Sequence, residues 1–180
     1  MAANYGGKEL AEAFRTVRKN TLQVAQDIPE EKYDHVAAPE ARSVGQMLTH
    51  IALSTRVWEE LYKKEMKTLA GFDFLGLIEE FRAEEAKKRS KSEILEILKT
   101  RGEKFASWLE SMTPEFLAEK VTGGDGKETT RFERFLGAKE HEMHHRAQLM
   151  LIERQLGIVP HLTGQAQERL AQMKAARAQA

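Results

Sequence analysis

Three of the six histidines in this sequence stand where a single ion could reach them all. His141 and His145 are four residues apart, so on a helix they lie about 40° apart and one turn along. Imidazoles at that spacing can chelate one ion, and a third ligand from a facing helix closes the set. With His141 as origin and about 100° per residue, Ala138, Leu149, Ile152 and Leu156 fall within about 80° of it. Lys139, Met143, Arg146 and Arg154 fall on the far side. On another helical stretch, Met47, Leu53, Val57, Trp58 and Leu61 share the side of His50, and Leu48 and Thr55 lie opposite. All three histidines are therefore expected to face a helical core. A buried neutral imidazole needs partners for both nitrogens, and a charged one pays desolvation. One divalent metal ion on His50, His141 and His145 answers that need. Zinc or nickel suits such a ligand set, and iron and copper are also compatible. Three protein ligands leave positions open for water or substrate, as in catalytic zinc sites. The competing reading of any single core histidine is a hydrogen-bonded packing residue.

Neighbouring residues extend the candidate site. Glu142 or His144 could orient a substrate or accept a proton. His144 falls about 60° to the other side of His141, so it stands behind the ligands or against a substrate. His35 and His161 lie in loop-like stretches and read as solvated. His141-Glu142-Met143-His144-His145 also fits the H-E-x-x-H pattern of zinc peptidases, with Glu142 as general base. The extended form of that motif needs Gly and His where Gln148 and Leu151 stand. A downstream acidic ligand could only be Glu153 or Glu168. The same run holds one E-x-x-H, whereas di-iron bundles need two. Gly126-Lys127 lacks the rest of a phosphate loop, with Val121 and Glu128 at its other key positions.

The elements that must position these residues are helices almost throughout. Prolines number only four, and β-branched runs are scarce. A first helix is expected over about Lys8–Gln26. A second starts at Ser43, capped by Gln46, and runs to about Lys64. A shorter helix is expected within Phe72–Arg89. A third long helix starts near Ser90 with Glu93 as its capping partner and ends at Met112. Pro114 opens a short turn of helix, and Gly123–Gly126 reads as a flexible loop. The fourth long helix opens at Thr130 with Glu133 and ends at Gly157. A polar helix follows over about Gly164–Ala178. Residues 1–160 thus read as one bundle domain and residues 161–180 as a helical extension.

Composition narrows the function classes. The 180 residues contain no cysteine, which removes disulfides, thiolate ligands and a cysteine nucleophile. Lys and Arg total 28 and Asp and Glu total 28, so the basic excess expected of a nucleic-acid binder is absent. No apolar run approaches the roughly 20 residues of a membrane span, and the N-terminal residues do not read as a secretory signal. The expectation is a cytoplasmic protein with a small-molecule substrate and neither nucleic acid nor membrane as partner.

The stretch from Ser43 to Ala52, with Gly45, Gln46, Leu48 and His50, and with Trp58 beyond it, resembles the second helix of DinB/YfiT-like proteins. The stretch from His141 to Leu149, ending at Leu156-Gly157, resembles their last bundle helix. The likeness extends over about Lys8–Gly157 and does not include the final helix. One departure is Ala147, where the family commonly has glycine. The resemblance implies an all-α, up-up-down-down four-helix bundle with a long crossover. It implies a mononuclear metal on the three histidines, a homodimer, and thiol-dependent chemistry with low-molecular-weight thiols such as bacillithiol or mycothiol.

Overall fold

The computed structural model describes residues 5–62 and 65–179. Its long helices are α1 (Gly7–Asp27), α2 (Val44–Tyr62), α4 (Lys91–Glu110), α6 (Arg131–Gln155) and α7 (His161–Ala178). The shorter ones are α3 (Phe74–Glu85) and α5 (Pro114–Ala118). The expected end of the second helix at Lys64 lies outside the described residues.

Local chemistry sets the helix starts. Ser43 Oγ accepts from the Gln46 amide at 3.3 Å, and Gln46 Oε1 accepts from the Ser43 amide at 3.0 Å. Ser90 with Glu93 and Thr130 with Glu133 form the same reciprocal caps at α4 and α6. Gly157, at φ 78°, takes the left-handed turn just past α6 that a side chain would oppose. None of the described helices is long and apolar enough to cross a membrane.

Helices α1, α2, α4 and α6 make the bundle. Helix α4 runs antiparallel to α1, since Lys91 at its start reaches the carbonyls of Gln26 and Ile28 at 2.7 Å. Helix α6 runs parallel to α1: Tyr5 packs edge-to-face on Phe132 at one end, and the Asn20 side chain meets His161 at the other. Helix α2 opposes α6, because Trp58 donates to the Arg134 carbonyl near the start of α6. The order is therefore up-down-down-up, which corrects the up-up-down-down direction expected from the resemblance. The physical cause is connection length. Residues 28–43 turn the chain back at one end, whereas the crossover over 65–90 returns it to that end before α4 begins.

Two apolar clusters fill the bundle, each stabilised at about 25 cal/mol per Å² of apolar surface buried. Phe14, Tyr62, Phe105, Leu109 and Phe135 lie at one end, and Val24, Leu48, Ile51, Leu98 and Leu149 at the other. Between them lies a polar layer. Arg18 on α1 and Glu142 on α6 form a buried pair, with Arg18 Nε 2.9 Å from Glu142 Oε1 and Arg18 Nη2 2.9 Å from Glu142 Oε2. Gly102 on α4 makes room for it, since a Cβ there would meet Arg18 Cγ at 2.8 Å.

Several sequence expectations need correction. Arg146, assigned to the outer face, is 8% exposed and donates to the Val17 carbonyl at 3.2 Å. Leu48 and Thr55 are buried, because α2 is packed by α3, α4 and α6. The Gly123–Gly126 loop is the turn of a hairpin between β1 (Lys120–Thr122) and β2 (Glu128–Thr130). Thr122 also pairs with the crossover, exchanging backbone hydrogen bonds with Lys67 at 3.0 Å and Leu69 at 2.9 Å. Strands of three residues are too short to show a period-two pattern. His161 is not a solvated loop residue but opens α7, its Nε2 3.2 Å from Asn20 Oδ1 and its Nδ1 3.9 Å from Asp27. His35 is half-buried, with its Nε2 shielded from solvent. The rest of α7 buries none of its residues.

Candidate metal centre

Helix α2 brings His50, and α6 brings His141 and His145, to one point on the bundle wall. One ring nitrogen from each lies within 4.8 Å of the other two. The ring centroids are 5.0 Å apart for His50–His141, 4.7 Å for His50–His145 and 4.6 Å for His141–His145. His50 Nε2 and His141 Nε2 are 3.2 Å apart. Ligand nitrogens on a tetrahedral ion with bonds of about 2.0–2.1 Å stand about 3.3 Å apart. The donor chemistry and spacing therefore fit a divalent ion.

The residues behind the ligands fit it as well. His50 Nδ1 is 2.7 Å from Glu85 Oε1 at the end of α3. A carboxylate only accepts, so Nδ1 carries the proton and Nε2 turns its lone pair toward the other histidines. Glu85 Oε2 accepts from Arg42 Nε at 2.7 Å. Burial would raise the Glu85 carboxyl, but hydrogen bonds from His50 and Arg42 outweigh it and hold the carboxyl below its ordinary range. His145 Nδ1 is 2.9 Å from Gln148 Oε1, which likewise leaves Nε2 for the site. His141 is pushed down to about 3, first by burial and then by its neighbours His145 and His50. Burial also lowers His145. Both rings are thus biased to the neutral form that a metal ligand must adopt.

His144 and Glu142 do not join the three. The exposed His144 ring packs edge-on to His145 at 4.9 Å, with its Nε2 3.4 Å from Gln148 Nε2. Glu142 is 1% exposed and paired with Arg18, on the face of α6 turned toward α1. A carboxylate held there cannot serve as the base of an H-E-x-x-H peptidase. The three histidines themselves are half-buried and flank the core rather than lying inside it. Of the three, His145 lines a cleft of 540 Å³, together with Arg42, Arg82, Glu85 and Gln148.

Sequence reading missed Glu85 and Arg42. Glu85 sits in the charged run Glu79-Glu80-Phe81-Arg82-Ala83-Glu84-Glu85, where no pattern marks one carboxylate as inward. Its role gives a direct expectation. Glu85→Ala should weaken zinc binding about 10–100-fold by chelator competition, because the His50 ring loses its orienting acceptor. Affinity equal to the parent would leave Glu85 with no part in the site.

A profile of the DinB superfamily matches residues 13–149. Among solved structures, the chain resembles YjoA, a DinB-like protein from Bacillus subtilis, at 22% identity, covering 83% of this chain and 92% of that one with a TM-score of 0.63. It also resembles YfiT from Bacillus subtilis, described as "a probable metal-dependent hydrolase with an unusual four-helix bundle topology". That match has 15% identity, 88% and 91% coverage and a TM-score of 0.65. An uncharacterised protein from Clostridium difficile 630 matches at 14% identity, 84% and 98% coverage and a TM-score of 0.64. No curated protein matches the chain. The profile runs from α1 into the last bundle helix and takes in all three histidines, and by it the chain belongs to the DinB superfamily.

Proposed function

We propose that the chain is a metal-dependent enzyme in which an activated thiol or water attacks a small electrophilic substrate, as a thiol-dependent S-transferase or a hydrolase. The observation that carries this reading is three convergent imidazoles beside an open cleft, with no fourth His, Cys, Asp or Glu completing the cluster among the described residues. A structural site is normally closed by a fourth protein ligand. The description of YfiT as a hydrolase agrees with the reading.

A divalent ion on the three histidines would act as a Lewis acid that lowers the pKa of a thiol or water at neutral pH. The protein's own part is orientation. Glu85 fixes the His50 ring, and Arg42 fixes Glu85. Both Glu85 oxygens are occupied, so this carboxylate orients rather than abstracts protons. Gln148 bridges His144 and His145 and holds the latter's Nδ1–H. Trp58, 6.3 Å from His141, forms an apolar wall beside the ligands.

The test is the metal content of protein purified without a histidine tag, beside His50→Ala. About one ion per chain is expected in the parent and none in the variant. No ion in the parent after zinc or nickel addition overturns the reading. A parent that unfolds completely when a chelator removes the metal would instead mark a structural site.

A further inference from the structure

The cleft beside the triad carries cationic groups that the ligand set does not use. Arg42 commits its Nε to Glu85, and among the described residues its two terminal nitrogens make no hydrogen bond. Arg82 on α3 is exposed, and among the described residues its guanidinium has neither a hydrogen bond nor an ion pair. Gln46 uses its side-chain oxygen on the Ser43 amide, and its NH₂ group, on the same wall, makes no hydrogen bond among the described residues. Two carboxylates oppose them. Glu85 is already covered by His50 and Arg42, and Glu40 stands exposed on the lining. A divalent ion on the histidines would tip this balance firmly positive.

We propose that this cleft binds an oxyanion of the substrate, a carboxylate or a phosphate, between Arg82 and the free edge of Arg42. Guanidinium groups suit this task because their planar forks match both anions. The substrate is then an acid whose reacting atom lies toward His145 while its anionic end lies toward α3. This inference rests on the proposed metal enzyme for the direction of the substrate, not for the anion site itself. Arg82 is a substrate-positioning residue. It is also the better probe, since replacing Arg42 would loosen Glu85 and His50 together.

The experiment is calorimetric titration of the full chain with succinate and with inorganic phosphate at low ionic strength. Parent, Arg82→Gln and Lys88→Gln are compared, each metal-loaded and chelator-stripped. Lys88 is a highly exposed cation outside the cleft lining and controls for overall charge. Arg82→Gln is expected to bind the preferred anion about fivefold more weakly in both forms, with Lys88→Gln matching the parent. Tighter succinate binding would identify the anion as a carboxylate, and tighter phosphate binding as a phosphate. Equal affinity in Arg82→Gln and parent, an equal loss in Lys88→Gln, or no anion binding at all would overturn the assignment. If the parent takes up no metal, the enzyme reading fails while the stripped-form comparison still decides the anion site. Normal metal uptake with unchanged anion affinity removes the anion site alone.

Discussion

Glu142→Ala is expected to destabilise the protein by about 3–5 kcal/mol, as breaking one partner of a buried ion pair does. For a chain of this size the melting temperature should fall on the order of 10 °C. Arg18 is 4% exposed and Glu142 1%, so neither group can turn to water when its partner is lost. Arg18 also donates to the Leu98 carbonyl at 2.6 Å and the Ile51 carbonyl at 3.4 Å. One guanidinium thus joins α1 to α6, α4 and α2. Removing the carboxylate leaves that cation buried, with Arg146 adding a second positive charge nearby. The double variant Arg18→Met/Glu142→Leu should cost less than Glu142→Ala alone, because no uncompensated charge remains. Urea denaturation measures all three. A Glu142→Ala protein within about 1 kcal/mol of the parent would show that the pair does not hold the bundle. Glu142→Gln should keep the parent's metal content, since this side chain faces α1 and not the histidines.

Glu153→Gln should behave oppositely and stabilise the protein as pH rises. Glu153 is fully buried, and neither carboxyl oxygen has a hydrogen-bond partner among the described residues. Burial, aided by the charge of Asp27 and opposed by Arg154, pushes its carboxyl from 4.5 up to about 7. Between those values the unfolded chain releases a proton that the folded chain keeps. Stability is therefore lost as pH rises through that window, and the penalty is complete above it. A shift from 4.5 to about 7 corresponds to about 3 kcal/mol at full penalty. Glutamine does not ionise, so the variant should match the parent near pH ~4 and exceed it by up to that amount near pH ~8. His141 contributes with the other sign. Its folded value of about 3 lies below the ordinary 6.5, so stability rises with pH between them. That contribution is common to both proteins and cancels in the difference. Denaturation midpoints at about pH 4, 6 and 8 decide the matter, and a difference that does not change with pH would mean that ionised Glu153 is already satisfied.

The amino-acid sequence alone determined the helices and the identity of the three ligand candidates. Reciprocal caps at Ser43, Ser90 and Thr130 and the glycine at 157 are contacts between neighbours in the chain, so their residue types suffice to place them. The i, i+4 spacing of His141 and His145 fixes their common side in the same local way. Tertiary structure decided where that side points. On α6 the buried axis passes through Phe135, Glu142, Leu149 and Glu153, about 100° from His141. Periodicity misplaces it because Arg146 reads as outward and Glu142 as a group of the site, whereas both lie inside because α1 supplies Arg18 and the Val17 carbonyl. The same holds for Glu85. It reaches His50 because the crossover is pinned to Thr122 and returns along α2, and its partners come from distant parts of the chain. A charge is buried when long-range packing brings its partner to it, and hydropathy along one helix does not record that partner.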